Sequence, residues 1–148
     1  MSLLEWQRQG RLQEYRTSPR EMGELLDLAE RRLDDARVEA ISADWRFAAA
    51  YDAALALATI PLEGAGYRTR GAGHHVTTFE ALPLTMGESL RDLADYLGRC
   101  RKRRNEVTYH RAGVVSPSEA EDVIGRVLAF RDQVEQWLRD NRPHLVRE

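Results

Sequence analysis

The chain has 148 residues, of which 43% are hydrophobic and 31% charged, and its formal net charge is −2. This length suits one domain with one core, and a single cysteine, Cys100, excludes an intramolecular disulfide framework and favours a reducing compartment. The uncharged run Ala53–Leu62 is about half as long as a bilayer-spanning helix, and Met1–Gly10 has no apolar signal-peptide core. We therefore expect a soluble, cytoplasmic protein that does not associate with membranes.

Four short segments carry the signature of a helix start. Ser18–Glu21 and Ser116–Glu119 follow the capping-box pattern with proline at the first helical position, and Thr77–Glu80 and Thr85–Glu88 fit the same four-residue pattern. In this pattern the hydroxyl of the first residue accepts a hydrogen bond from a backbone N–H that has no partner within the helix. Four such starts in a chain of this length favour an all-α fold.

Apolar side chains recur at steps of three and four residues, which is typical of helices that bury one face. In chain order, we predict a short helix over residues 3–16 and further helices over 19–40, 43–62, 73–83, 87–109 and 117–141. The helix over 43–62 is Ala-rich and apolar on nearly all sides, so we expect it to be the most buried. Gly64–Gly73 forms the one long Gly-rich connection, and no stretch alternates for long enough to predict a strand.

The predicted architecture is an up-and-down bundle of four main helices with one or two short additional helices. We expect an N-terminal helical extension over residues 1–17, the bundle over 18–142 and a C-terminal tail over 143–148. Gly113 is the candidate left-handed residue that ends the fourth main helix.

The strongest local signal is a basic run at the end of that helix. Arg99–Arg111 contains six basic residues and one acidic residue, so it carries +5 while the rest of the chain carries −7. Guanidinium groups bind phosphate oxygens through paired hydrogen bonds, which makes the run a candidate nucleic-acid-binding surface. Its candidate contact residues are Arg99, Arg101, Lys102, Arg103 and Arg111.

His110 is the one residue in this run whose ordinary pKa lies near neutrality, so it is the candidate for proton transfer. Arginines beside a histidine, with no cluster of carboxylates or cysteines, suit metal-independent cleavage of RNA. A base removes the 2′-hydroxyl proton, and cations stabilise the charge that develops on the phosphate. The alternative interpretation is a solvated helix face whose cations favour the helix macrodipole.

Helical geometry leaves open which arginine works with His110. At about 100° per residue, His110 lies about 120° around the helix from Arg104 but only about 20° from Arg103. A kink at the helix end, or a second copy of the helix across a dimer interface, would bring Arg104 and His110 together.

Arg104-Asn105 followed by His110 resembles the arginine–histidine motif of the HEPN superfamily of helical domains. The resemblance covers about residues 18–140 and includes the order of the flanking segments. These are Asp44-Trp45-Arg46-Phe47, Tyr51-Asp52-Ala53, Gly66-Tyr67-Arg68-Thr69, Gly73-His74-His75 and Ser116-Pro117-Ser118-Glu119. It implies a HEPN-like bundle that pairs as a homodimer, with the two motifs facing each other and cleaving RNA without metal.

In this family plan, His110 is the proton-transfer residue, Arg104 the ligand of the phosphate and transition state, and Asn105 the residue that orients them. Some HEPN toxins are silenced by a partner nucleotidyltransferase that modifies a tyrosine two residues after the histidine. That position is Ala112 here, and Tyr109 precedes the histidine instead. The departure argues against that modification, while a nucleotidyltransferase remains a candidate partner.

Two rival functions accompany the preferred one, a homodimeric endoribonuclease in a toxin–antitoxin or defence setting. The first is a non-catalytic HEPN module that binds nucleotide, nucleic acid or a partner nucleotidyltransferase. The second is a structural dimeric bundle whose basic run is solvated. No cofactor and no metal are expected.

The remaining polar and aromatic candidates are interpreted as structural. His74 and His75 are adjacent, so on a helix their side chains point about 100° apart, and we expect them to cap and pack the short helix rather than hold a metal. Cys100 continues an apolar stripe and is interpreted as a packed thiol. The Gly-rich connection lacks the ending of a phosphate loop. Core or dimer contacts are predicted for Trp6, Trp45 and Trp137.

Overall fold

The computed structural model describes residues 1–109 and 114–147, and these are mostly helical, which confirms the all-α expectation. The helices are α1 (Leu3–Arg8), α2 (Pro19–Ala36), α3 (Ala43–Gly64), α4 (His74–Glu80), α5 (Leu82–Met86), α6 (Arg91–Tyr109) and α7 (Pro117–Asn141). Two short strands, β1 (Leu12–Glu14) and β2 (Tyr67–Thr69), and 3₁₀ turns at Glu88–Leu90 and Pro143–Leu145 complete the described elements. None of the helices within these ranges is long and apolar enough to cross a bilayer.

Helix α3 lies at the centre of the fold and packs against α2, α7 and α6. As its Ala-rich sequence predicts, it is buried along nearly its whole length. Ala50, Ala53 and Ala54 have no more than a methyl group, which lets the neighbouring helices approach closely, while Tyr51 and Leu57 fill the space between them. The core therefore fixes the position of every other main helix relative to α3.

Buried polar contacts hold the ends of the neighbouring helices against α3. The Arg46 Nε–H donates to the Ala36 carbonyl at 2.7 Å, at the end of α2, and its Nη2 binds Glu121 in α7. Asp44 Oδ1 accepts a hydrogen bond of 2.9 Å from the Val115 amide, just before α7 begins. Two of the residues that carry the family resemblance therefore have a structural role here.

The two serine helix starts are confirmed, and the two threonine starts are wrong. Ser18 Oγ accepts from the Glu21 amide at 3.2 Å, and Ser116 and Glu119 form both hydrogen bonds of a capping box. Thr77, by contrast, lies inside α4, as does Thr78, whose hydroxyl donates to the His74 carbonyl at 2.7 Å. Thr85 lies near the end of α5 and bonds back to Ala81 in the same way. A threonine hydroxyl that bonds the carbonyl four residues earlier is not available to cap a helix start.

The predicted helix over 3–16 is wrong beyond Arg8, and the expectation of no strand is wrong as well. Strand β1 pairs with β2 in antiparallel register, with Leu12 opposite Thr69 and Glu14 opposite Tyr67. Gly10, at φ +79°, allows the chain to turn after α1. Trp6 and Leu12, on either side of the turn, pack in one apolar cluster with Leu62 and Ala81 and so stabilise it. Three residues are too few for a recognisable alternating pattern.

Several predicted boundaries also shift. The helix expected over 73–83 is two helices, α4 and α5, because Pro83 in the first turn of α5 cannot donate to the helix before it. The helix expected from residue 87 begins at Arg91, after a 3₁₀ turn, and α2 ends at Ala36 rather than residue 40. The expected helix end at Gly113 lies outside the described residues.

Candidate functional site

The basic run on α6 is divided between two sides of the helix. Arg99 and Arg103 line a cleft toward α7, whereas Arg101 and Arg104 lie toward α3 and α4, close enough to influence the titration of Tyr51 there. Neighbouring residues on a helix differ by about 100° in direction, so consecutive arginines cannot share one face. Lys102 and Arg99 are exposed, and Asn105 is half-buried on the same helix. His110 and Arg111 lie outside the described residues.

Arg103 ties α6 to the start of α7. Its Nη2 donates to Glu119 Oε2 at 2.6 Å, and its Nη1 lies 3.7 Å from Glu106 Oε2. The Arg103 hydrogen bond holds the pKa of the Glu119 carboxyl below its usual value. Because Glu119 also completes the capping box of α7, this ion pair links two helix segments and leaves Arg103 less available to a phosphate.

Arg104 points toward α3, about 100° around the helix from Arg103. Its Nη2 donates to Asp52 Oδ1 at 3.3 Å, and about a quarter of its side chain is exposed, at 28%. Arg101 is one turn earlier on the helix, and its Nε atom is buried without a hydrogen-bond partner among the described residues. The two guanidinium groups together make a cationic surface at the junction of α3, α4 and α6.

His75 completes this junction, a position that local sequence patterns do not predict. It stands in the first turn of α4, its side chain is exposed, and its Nδ1 lies 2.9 Å from the Tyr51 hydroxyl. Partial burial of the ring, and then the positive charge of Arg104, lower the pKa of His75, while Asp52 opposes this shift. His75 and Arg104 lie on different helices, α4 and α6, so no spacing within one helix could have linked them.

His74, its neighbour, points elsewhere. The His74 Nδ1 atom lies 2.8 Å from the Thr69 hydroxyl, at the end of β2. The two imidazoles therefore bind different partners and do not converge. Within the described ranges, no group of three or more histidine, cysteine or acidic side chains is placed to hold a metal ion.

A cleft of about 680 Å³ lies between α6 and the start of α7 and is a poorer phosphate site. Phe47, Tyr96 and Cys100 form its apolar lining. Its charged lining consists of Arg99, Arg103, Glu119, Glu121 and Asp122, so carboxylates outnumber guanidiniums. This balance disfavours a polyanion. Since Arg101 and Arg104 lie instead at the junction of α3, α4 and α6, that junction is the better candidate for an active site that binds phosphate.

Next to Arg104 lies an exposed apolar patch, which we call the Trp45 patch: Val38, Ile41 and Trp45. Their exposed fractions are 46%, 39% and 61%, and together with Arg104 they line a groove of about 360 Å³. Core or dimer contacts are predicted for the tryptophans; Trp6 lies in the core, whereas Trp45, in the first turn of α3, does not, and its dimer alternative stays a prediction. Trp137 is partly buried against the core.

Cys100 is buried, as predicted for a packed thiol, and burial raises the pKa of its thiol to about 11. We expect native protein at about pH 8 to react with a thiol reagent at least ~100-fold more slowly than denatured protein. Because the folded-state pKa is raised, stability should also fall as pH rises from about 9 toward 11. Absorbance after addition of a disulfide reagent measures the rate, and rapid labelling of the native chain would contradict this burial.

Comparison of the chain with family models, curated proteins and solved structures finds no match in any of the three.

Proposed function

We propose that the protein is a metal-independent endoribonuclease of HEPN type that acts as a homodimer. The observation that carries this proposal is the pair Arg101 and Arg104, which present guanidinium groups at one junction beside an imidazole. In the proposed site, Arg104 binds the scissile phosphate and stabilises its transition state, Asn105 orients the groups, and His110 transfers a proton. A toxin–antitoxin or defence role follows from the family resemblance.

The Arg104–Asp52 ion pair supports the proposed role of Arg104. Asp52 is on the buried central helix α3, so its hydrogen bond orients the Arg104 guanidinium at the junction. A positioned guanidinium stabilises developing charge without reorganising during the reaction. A flexible surface arginine would lack this advantage.

The Trp45 patch supports the homodimer. Large apolar side chains exposed together typically mark an interaction surface, and tryptophan is enriched in the centres of such surfaces. Because Arg104 lines the same groove as Trp45, a two-fold symmetric dimer formed through this groove would bring the α6 helices of the two copies close together. This arrangement would let the arginine of one protomer meet the histidine of the other.

The second candidate function is a non-catalytic HEPN module that binds nucleotide, nucleic acid or a nucleotidyltransferase. The carboxylates paired with Arg103 and Arg104 favour it, since they reduce the net positive field available for a reaction. Such a module would still bind RNA through phosphate contacts, with an affinity that falls steeply as salt increases.

The test is incubation of purified protein with end-labelled single-stranded RNA and tRNA in excess EDTA. The proposal predicts cleavage that leaves 2′,3′-cyclic phosphate ends, because the 2′-oxygen is the nucleophile. Salt-sensitive binding without cleavage would replace it with the binding-module function. If the protein neither binds nor cleaves RNA, the interpretation as a structural bundle would replace both functions.

A further inference from the structure

We propose that His75 is a second proton-transfer residue of this site, acting through Nε2 as the general base that activates the 2′-hydroxyl of RNA. The inference rests on the proposed ribonuclease function and adds to it a residue from a different helix. It assigns to His75 the proton abstraction that starts the reaction.

The hydrogen bond to Tyr51 fixes which nitrogen of His75 meets the substrate. Tyr51 is fully buried in α3, where its ring packs edge-on against Phe79 with centroids 5.7 Å apart. Its hydroxyl is therefore a fixed point, 2.9 Å from His75 Nδ1. Because this bond engages Nδ1, proton exchange with a substrate takes place at Nε2, on the other side of an exposed ring.

The tautomer required for a base is compatible with this bond. When Nδ1 carries the proton, Nδ1–H donates to the Tyr51 oxygen and Nε2 keeps a free lone pair. Burial raises the pKa of Tyr51, so the hydroxyl stays protonated and neutral. Tyr51 thus positions the imidazole in the way that a hydrogen-bonded partner orients many catalytic histidines.

The charges around His75 favour its neutral form. The titratable and charged groups that face it are Tyr51 and Asp52 on α3, His74 on α4, and Arg101 and Arg104 on α6. Partial burial and the two guanidiniums lower the pKa of His75, and Asp52 offsets part of that shift. An imidazole that is neutral at physiological pH is ready to accept a proton, and the same guanidiniums attract the phosphate next to it.

In the proposed step, one bond forms at phosphorus and another breaks. His75 Nε2 takes the proton of the 2′-hydroxyl, and the 2′-oxygen forms a bond to phosphorus. The bond from phosphorus to the 5′-oxygen breaks, and that oxygen takes a proton from solvent. The products are a 2′,3′-cyclic phosphate and a 5′-hydroxyl, and His75 returns to its neutral state when it releases its proton to solvent.

The variant that tests this role is His75→Gln, which keeps a polar side chain but has no group that exchanges protons near neutral pH. We expect kcat to fall by about 100-fold or more, the range typical of losing a general base, while RNA affinity stays within about threefold. His74→Gln is the matched control, since His74 is also exposed and adjacent but bonds to Thr69. It should retain cleavage, and equal melting temperatures would show that both variants fold.

Two further readouts separate a base from a packing residue. In wild-type protein kcat/KM should rise with pH as His75 loses its proton, and this acidic limb should be absent in His75→Gln. Added imidazole should restore part of the activity of His75→Ala. Unchanged cleavage by His75→Gln, or loss of RNA binding in parallel with cleavage, would overturn the assignment.

Failure of the inference and failure of the function can be told apart. If wild-type protein cleaves RNA and Arg104→Ala does not, but His75→Gln does, the ribonuclease function stands and His75 is not its base. If wild-type protein cleaves no RNA in EDTA, both proposals are overturned.

Discussion

Replacing Arg104 with alanine is expected to lower the rate of RNA cleavage by about two to three orders of magnitude, the usual effect of removing a group that stabilises developing charge. The guanidinium is held at the junction by Asp52, so the lost interaction is preorganised rather than incidental. Rates measured at saturating RNA, in EDTA, with wild-type and variant protein side by side test this expectation.

Arg103→Ala is the matched control, because it removes the same side chain one position earlier on the same helix. Arg103 is paired with Glu119 at the start of α7, so its loss should cost at most about 1 kcal/mol of stability, typical of a partly exposed ion pair, and leave cleavage within a few-fold. Arg104→Lys keeps the charge without the planar pair of donors and should have an intermediate rate. The reverse result, with Arg103 essential and Arg104 dispensable, would assign the phosphate to the α7 side of the helix.

The parts of the fold that follow local rules could be predicted from the sequence. Ser18 and Ser116 mark helix starts because the capping interaction involves residues only three apart. The Ala-rich composition of α3 likewise predicts its burial, since a helix without a polar face must be covered on all sides. These features depend on residues that are close together in the chain, and a single sequence shows such local patterns directly.

The features that depend on distant contacts could not be predicted. Strand β1 forms because it pairs with β2, which places Leu12 opposite Thr69, more than fifty residues later in the chain. A strand of three residues is too short to show an alternating pattern of apolar and polar side chains. His75 lies close enough to Arg104 to be influenced by its charge because α4 and α6 pack together, and the exposure of Trp45 depends on how α3 packs with its neighbours. The basic run could be recognised in the sequence, but its ion pairs could not be predicted. Arg103 pairs with Glu119 and Arg104 with Asp52, and these two carboxylates lie on other helices.

Introducing a charge into the Trp45 patch is expected to dissociate the proposed homodimer. In Trp45→Glu a carboxylate would replace the most exposed apolar side chain of the patch, and the loss of a tryptophan anchor typically costs 2 kcal/mol or more, about a 30-fold increase in Kd. Light scattering coupled to size-exclusion chromatography should show the molar mass fall by half. Ile41→Glu, at a second position of the patch, should give the same result.

Leu4→Glu is the control, because Leu4 is an exposed apolar residue, at 47%, on α1 and outside the Trp45 patch. It should leave the molar mass unchanged. Since the proposed reaction pairs Arg104 of one protomer with His110 of the other, the monomeric variants should also lose cleavage, even though Arg104 and His75 are intact. A monomer that cleaves RNA at the wild-type rate would mean that one chain carries the complete site, and the homodimer would no longer be part of the mechanism.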